Sequence, residues 1–121
     1  MRRGQIMPTV LQDGDPFARA AFSTAELACA LEAPAPIGYL EELFCAKEAI
    51  FKSLGVDGNH IRFRDISILN IENGAPCVFL RGELGQAAKD RGIGRVEVTI
   101  SAQEDCILAF AVALGTRKEM T

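Results

Sequence analysis

Apolar positions follow a helical period in the first half of the chain and drop toward a period of two in the second. Leu40, Leu43, Phe44, Ile50, Phe51 and Leu54 fall on one face of a helix, and Gly55 follows them. Because glycine readily takes the left-handed conformation that ends a helix, the spacing predicts a helix over about residues 38–54. Ahead of it, Ser23-Thr24-Ala25-Glu26 has capping-box spacing and predicts a short helix to Glu32, broken by Ala33-Pro34-Ala35-Pro36. Residues 6–11 suggest an extended piece, and Asp13-Gly14-Asp15-Pro16 carries turn chemistry.

Beyond Gly55, residues 66–71 and 77–80 read as strands around Asn73-Gly74-Ala75-Pro76, where the proline favours a longer loop over a two-residue hairpin turn. Residues 83–90 predict a further helix. Residues 96–101 alternate as a half-buried strand, and residues 106–114 read as a final, more buried one. The expected fold class is α+β, with two or three helices on an antiparallel sheet.

At 121 residues the chain has room for one core. Residues 17–115 form the expected domain, between a divergent N-terminal segment, residues 1–16, and a tail, residues 116–121. A hydrophobic fraction of 49 % and a charged fraction of 24 % exclude wholesale disorder, collagen-like repeats and coiled coils. The net charge of -3 and the scattered basic residues provide no footprint for nucleic acid. Cys29, Cys45, Cys77 and Cys106 are widely spaced and His60 is the sole histidine, so neither a zinc site nor a redox dithiol is indicated and reduced thiols are expected. The longest apolar run is too short to cross a bilayer, and Arg2-Arg3 leads into no signal-peptide core. A cytoplasmic location is the default expectation.

Lys47 falls in the middle of the apolar face of the central helix, where an unpaired ammonium is costly; it must either snorkel to the rim or meet an anion. Glu48 and Lys52, four residues apart, lie on the flank. They read either as an ordinary surface ion pair or as part of a site for a phosphate ester and a divalent cation, with the carboxylate on the metal and the lysines on phosphate oxygens. Spacing leaves both open. His60, alone in a loop, is assigned no role.

Residues 44–55, Phe-Cys-Ala-Lys-Glu-Ala-Ile-Phe-Lys-Ser-Leu-Gly, resemble the central motif of the 4'-phosphopantetheinyl transferases, an aromatic residue followed by x-x-Lys-Glu-Ala-x-x-Lys-x-x-Gly. The segment from Phe22 to Leu27 resembles the upstream Phe-Thr-x-x-Glu-Leu of the small holo-acyl-carrier-protein synthases. Gly74-Ala75-Pro76 resembles their Gly-x-Pro hairpin, and Val98 to Ser101 their late strand. The resemblance implies that fold, with a long central helix against an antiparallel sheet. It also implies transfer of 4'-phosphopantetheine from coenzyme A to a serine of an acyl-carrier-type protein in fatty acid or polyketide biosynthesis. Glu48 would hold Mg2+ and act with Lys52 in catalysis. Lys47, Lys52, Gly55, Gly74, Pro76 and Ser101 would contact coenzyme A. A homo-oligomer, most typically a trimer, is implied, and Arg62, Arg64 and Arg81 are candidates for docking an acidic carrier.

Two departures stand against full activity. The family's N-terminal strand carries an aspartate, the second metal ligand, about twenty or more residues before the position of Phe22, where this chain has Met1, Arg2 or nothing. Asp13 and Asp15 are the possible substitutes. The family's histidine after Ser101 is replaced by Ala102, which can neither donate to a phosphate nor move a proton. The alternative expectation is therefore a catalytically degenerate module or subunit that binds coenzyme A or a carrier protein. A purely structural reading of Lys47, Glu48 and Lys52 stands behind it.

Overall fold

In the computed structural model, described over residues 1–56, 62–71 and 76–116, four α-helices and four strands alternate in the α+β order expected. Helix α1 (Pro16–Ala21) begins at a proline whose missing N–H is no loss in the first turn, and Asp15 caps it by accepting from the Ala18 amide at 2.9 Å. This helix corrects the turn-only reading of residues 13–16, and a 3-10 turn at Pro8–Leu11 replaces the extended piece expected there. The short segment buries only Ile6 and Val10, too little apolar periodicity to announce a helix.

Helix α2 (Thr24–Glu32) carries both halves of the capping box, the Ser23 hydroxyl accepting from the Glu26 amide and the Glu26 carboxylate accepting from the Ser23 amide. Helix α3 (Pro36–Leu54) is the central element and ends at Gly55 in the left-handed conformation, φ 66°. Leu40, Leu43, Ala46, Ile50 and Leu54 form its buried stripe.

Strands β1 (Ile66–Leu69) and β2 (Cys77–Leu80) pair antiparallel, Ile66 opposite Leu80, and helix α4 (Gly82–Asp90) follows. Strands β3 (Ile93–Ala102) and β4 (Ile107–Gly115) form a second antiparallel ladder, Ser101 opposite Leu108 and Thr99 opposite Phe110. The expected single sheet is thus two two-stranded ladders among the described residues. Val96, Val98 and Ile107 face the core against α3. On the other face Leu108 and Phe110 are 67 % and 70 % exposed, which corrects the expectation that the last strand is the more buried one. Its apolar run has a covered face and an open one.

The first residues are tied down. Met1 exchanges backbone hydrogen bonds with Ile107 at 2.7 Å in each direction, and Arg3 donates from its amide to Asp105 and from Nε to the Gln103 carbonyl. Glu41, buried on α3, accepts from the Gly4 amide at 2.5 Å and lies 3.6 Å from the Arg3 guanidinium. All four cysteines are unoxidised thiols. No helix among the described residues is long and apolar enough to cross a membrane.

Candidate active site

The site is built on one side of α3. Phe44, Glu48 and Phe51 recur at spacings of four and three and so share a helix face. Both rings pack against Phe63, at centroid distances of 5.5 and 5.8 Å, and Phe17 of α1 closes on Phe44 at 5.6 Å. This aromatic cluster pins α1 and the 3-10 turn Phe63–Asp65 to the motif helix. Glu48 is half-buried beside it, and Lys52 stands exposed one turn further on. Among the described residues neither side chain has an ion-pair partner, so the i,i+4 surface pair that their spacing allows is not made. A carboxylate and an ammonium are thus left available on the same stretch of helix.

Lys47 answers its burial by meeting an anion, but the anion is Glu26. The ammonium is fully buried and donates to Glu26 Oε1 at 2.5 Å, to the Ala21 carbonyl at 2.8 Å and to the Phe63 carbonyl at 2.9 Å. Nζ also lies 5.3 Å over the Phe22 ring. Burial pushes the Lys47 pKa down from its ordinary 10.5, and the Glu26 carboxylate opposes that shift. A lysine has three donors and all three are used, which corrects the expectation that Lys47 contacts coenzyme A. Glu26 is equally buried, and its other oxygen accepts from the Ile68 amide at 2.8 Å. Read for its capping box alone, Glu26 conceals this second role; the signal for it was the apolar position of Lys47, which left an anion partner as one of two outcomes.

Gly55 closes the motif at the end of α3. A side chain there would be strained by the positive φ, and its Cβ would lie 3.3 Å from Arg91 Nη2. Arg91, which the motif does not include, thus brings a cation to the C-terminal end of α3, where the helix dipole favours it. Ser101 and Ala102 are exposed at the end of β3, and Pro76 precedes β2 half-buried. Gly74 and His60 lie outside the described residues.

The carboxylates that could have completed a metal site do not do so. Asp15 caps α1 and Asp13 is exposed on the preceding turn; among the described residues no three metal-ligating side chains converge. Glu48 alone suits a cation that takes one or two carboxylates and completes its shell with water and substrate phosphates, the habit of Mg2+. Arg64 and Arg81 are exposed and line a polar cavity of about 350 Å³ with Ser23, Thr24, Asp65 and Ser67. Arg62 is exposed one residue before the 3-10 turn.

A family model described as the 4'-phosphopantetheinyl transferase superfamily matches residues 6–110. The holo-[acyl-carrier-protein] synthase of Neisseria meningitidis serogroup A is 37 % identical over 101 residues, covering 83 % of this chain and 81 % of that protein. The fatty acid synthase subunit alpha of Schizosaccharomyces pombe is 33 % identical over 111 residues; these cover 90 % of this chain but only 6 % of that much longer protein. The acyl carrier protein synthase of Plasmodium yoelii, solved with ADP bound, superposes with a TM-score of 0.75 at 29 % identity, covering 90 % of this chain and 86 % of that one.

Proposed function

Because the chain belongs to the 4'-phosphopantetheinyl transferase superfamily, we propose that it transfers 4'-phosphopantetheine from coenzyme A to a serine of an acyl-carrier-type protein. The observation that carries this reading is that Glu48 and Lys52, one turn apart on the motif helix, have no ion-pair partner among the described residues. Two opposite charges left uncompensated at four-residue spacing are available to a ligand that carries both, a diphosphate with its cation.

In the proposed reaction the serine oxygen forms a bond to the β-phosphorus of coenzyme A as the bond to 3',5'-adenosine bisphosphate breaks, and the serine proton passes to solvent. Lys52 holds the phosphate oxygens and offsets the charge gathering on the leaving group. Glu48, with the diphosphate oxygens, would hold Mg2+, which when bound supplies further charge neutralisation. Arg91 extends the cationic edge toward the phosphates, and Ser101 offers a hydroxyl donor from β3. An acidic carrier protein is the partner that the exposed Arg62, Arg64 and Arg81 would suit.

The open face of Leu108, Phe110 and Val112 supports self-association, with a trimer as the proposed state, and a neighbouring copy could then bring its β3 end to this Glu48. A cytoplasmic setting fits a coenzyme A-dependent enzyme with four unoxidised thiols. Ala102 favours a second reading, a module that binds coenzyme A without turning it over. Calorimetric titration of coenzyme A separates the two. The transferase reading expects Mg2+-dependent affinity that a chelator weakens at least tenfold, whereas equal affinity with and without chelator would favour the binding module.

A further inference from the structure

We infer that Lys47 is a positioning residue: with Glu26 it forms a buried brace that sets the rotation of α3 and so aims its neighbour Glu48, while taking no part in phosphate binding. The inference rests on reading Glu48 and Lys52 as the diphosphate site.

The three acceptors of the Lys47 ammonium come from three segments, the end of α1 at Ala21, α2 at Glu26 and the 3-10 turn at Phe63. Glu26 adds the start of α2 through the Ser23 amide and β1 through the Ile68 amide. Two side chains thus refer α1, α2, α3, the 3-10 turn and β1 to one point in the core. Consecutive residues of a helix stand about 100° apart, so fixing the direction of residue 47 fixes that of residue 48. A misplacement of about 1 Å at a reacting group costs on the order of 10²-fold in rate, which is how a residue without a substrate contact acts on turnover. The Phe44–Phe63–Phe51 contacts hold the same helix, and Phe63 serves both devices, with its ring in the aromatic cluster and its carbonyl on Lys47.

The test compares Lys47→Met with the double variant Lys47→Met/Glu26→Gln. Removing the ammonium alone strands a buried carboxylate, and neutralising that carboxylate relieves the penalty. The brace predicts that the single variant loses stability and transfer activity, and that adding Glu26→Gln restores part of both. In the double variant the KM for coenzyme A should stay within about threefold of wild type while kcat remains roughly ten- to a hundredfold lower. A coenzyme A affinity tenfold or more weaker in both variants, with no recovery from Glu26→Gln, would overturn the inference.

Should neither variant fold, the wild type decides by nitrogen-15 NMR of its four lysine ammonium groups. The brace expects the Lys47 signal to be protected from exchange and unmoved by coenzyme A while that of Lys52 shifts; a Lys47 shift as large as that of Lys52 overturns it. If coenzyme A moves no lysine signal, the Glu48–Lys52 reading fails instead. The brace is then judged on exchange alone, upheld if the Lys47 signal is protected and overturned if it exchanges as fast as that of Lys52.

Discussion

Replacing Glu26 by alanine should be among the most damaging single substitutions in this chain. The carboxylate is fully buried and serves three donors, Lys47 Nζ at 2.5 Å, the Ser23 amide at 2.8 Å and the Ile68 amide at 2.8 Å. Truncation leaves the ammonium in the core with only two carbonyls and two amides without their acceptor. Breaking a buried pair by removing one partner costs roughly 3–5 kcal/mol, a large part of the roughly 5–15 kcal/mol by which a domain is stable. The deficit should also depend on pH, because the folded pKa of Lys47 is held below the ordinary 10.5 and removing Glu26 takes away what opposes that depression. Between the folded and unfolded pKa values the unfolded chain binds more protons, so stability rises with pH across that window. The window opens at lower pH in the variant, and the gap to wild type therefore narrows as pH rises. Urea unfolding at about pH 7 and about pH 9.5 measures this: the expected result is a loss of roughly 3 kcal/mol or more at the lower pH and a smaller one at the higher. A loss below about 1 kcal/mol at pH 7, or a gap that widens with pH, would refute the reasoning.

Three further perturbations probe other parts of the account. Gly55→Ala places a side chain at φ 66° and against Arg91, and should cost about 1–2 kcal/mol in thermal unfolding. In Gly85→Ala the new Cβ would lie 2.9 Å from the Leu80 carbonyl oxygen, so α4 must move off β2 at a cost of roughly 1–3 kcal/mol, read by chemical denaturation. Leu108→Asp/Phe110→Asp puts two charges on the open face of β4 and should shift sedimentation toward the monomer while leaving the unfolding midpoint of the monomer nearly unchanged.

The elements with strong local signals were legible in the chain. The capping box of α2, the apolar stripe and terminal Gly55 of α3, and the alternation in β3 each identify their element because the same residues satisfy the backbone and bury the face. Helix α1 was not legible: at six residues it has no stripe, and its stability comes from Asp15, Pro16 and the tilted packing of Phe17 against Phe44. The two faces of β4 could not be told apart from a continuous apolar run, since a strand covered on both sides and one awaiting a partner read alike. At the proposed site, the motif grouped Lys47 with Glu48 and Lys52 on α3. Only the fold shows that the Glu26 carboxylate, 21 residues earlier in the chain, takes up that ammonium. Arg91 escaped notice for the same reason, being brought to Gly55 by tertiary structure alone.

The most direct test of the central claim is mass-spectrometric detection of phosphopantetheine transfer from coenzyme A to an apo acyl carrier protein, with Mg2+ present, by wild type and by Glu48→Gln. The wild type is expected to modify the carrier, with activity lost on chelation and slowed at least a hundredfold by Glu48→Gln, since that carboxylate acts only on the charged diphosphate and its ion. An unmodified carrier at stoichiometric wild-type enzyme, or equal modification by Glu48→Gln, would contradict it.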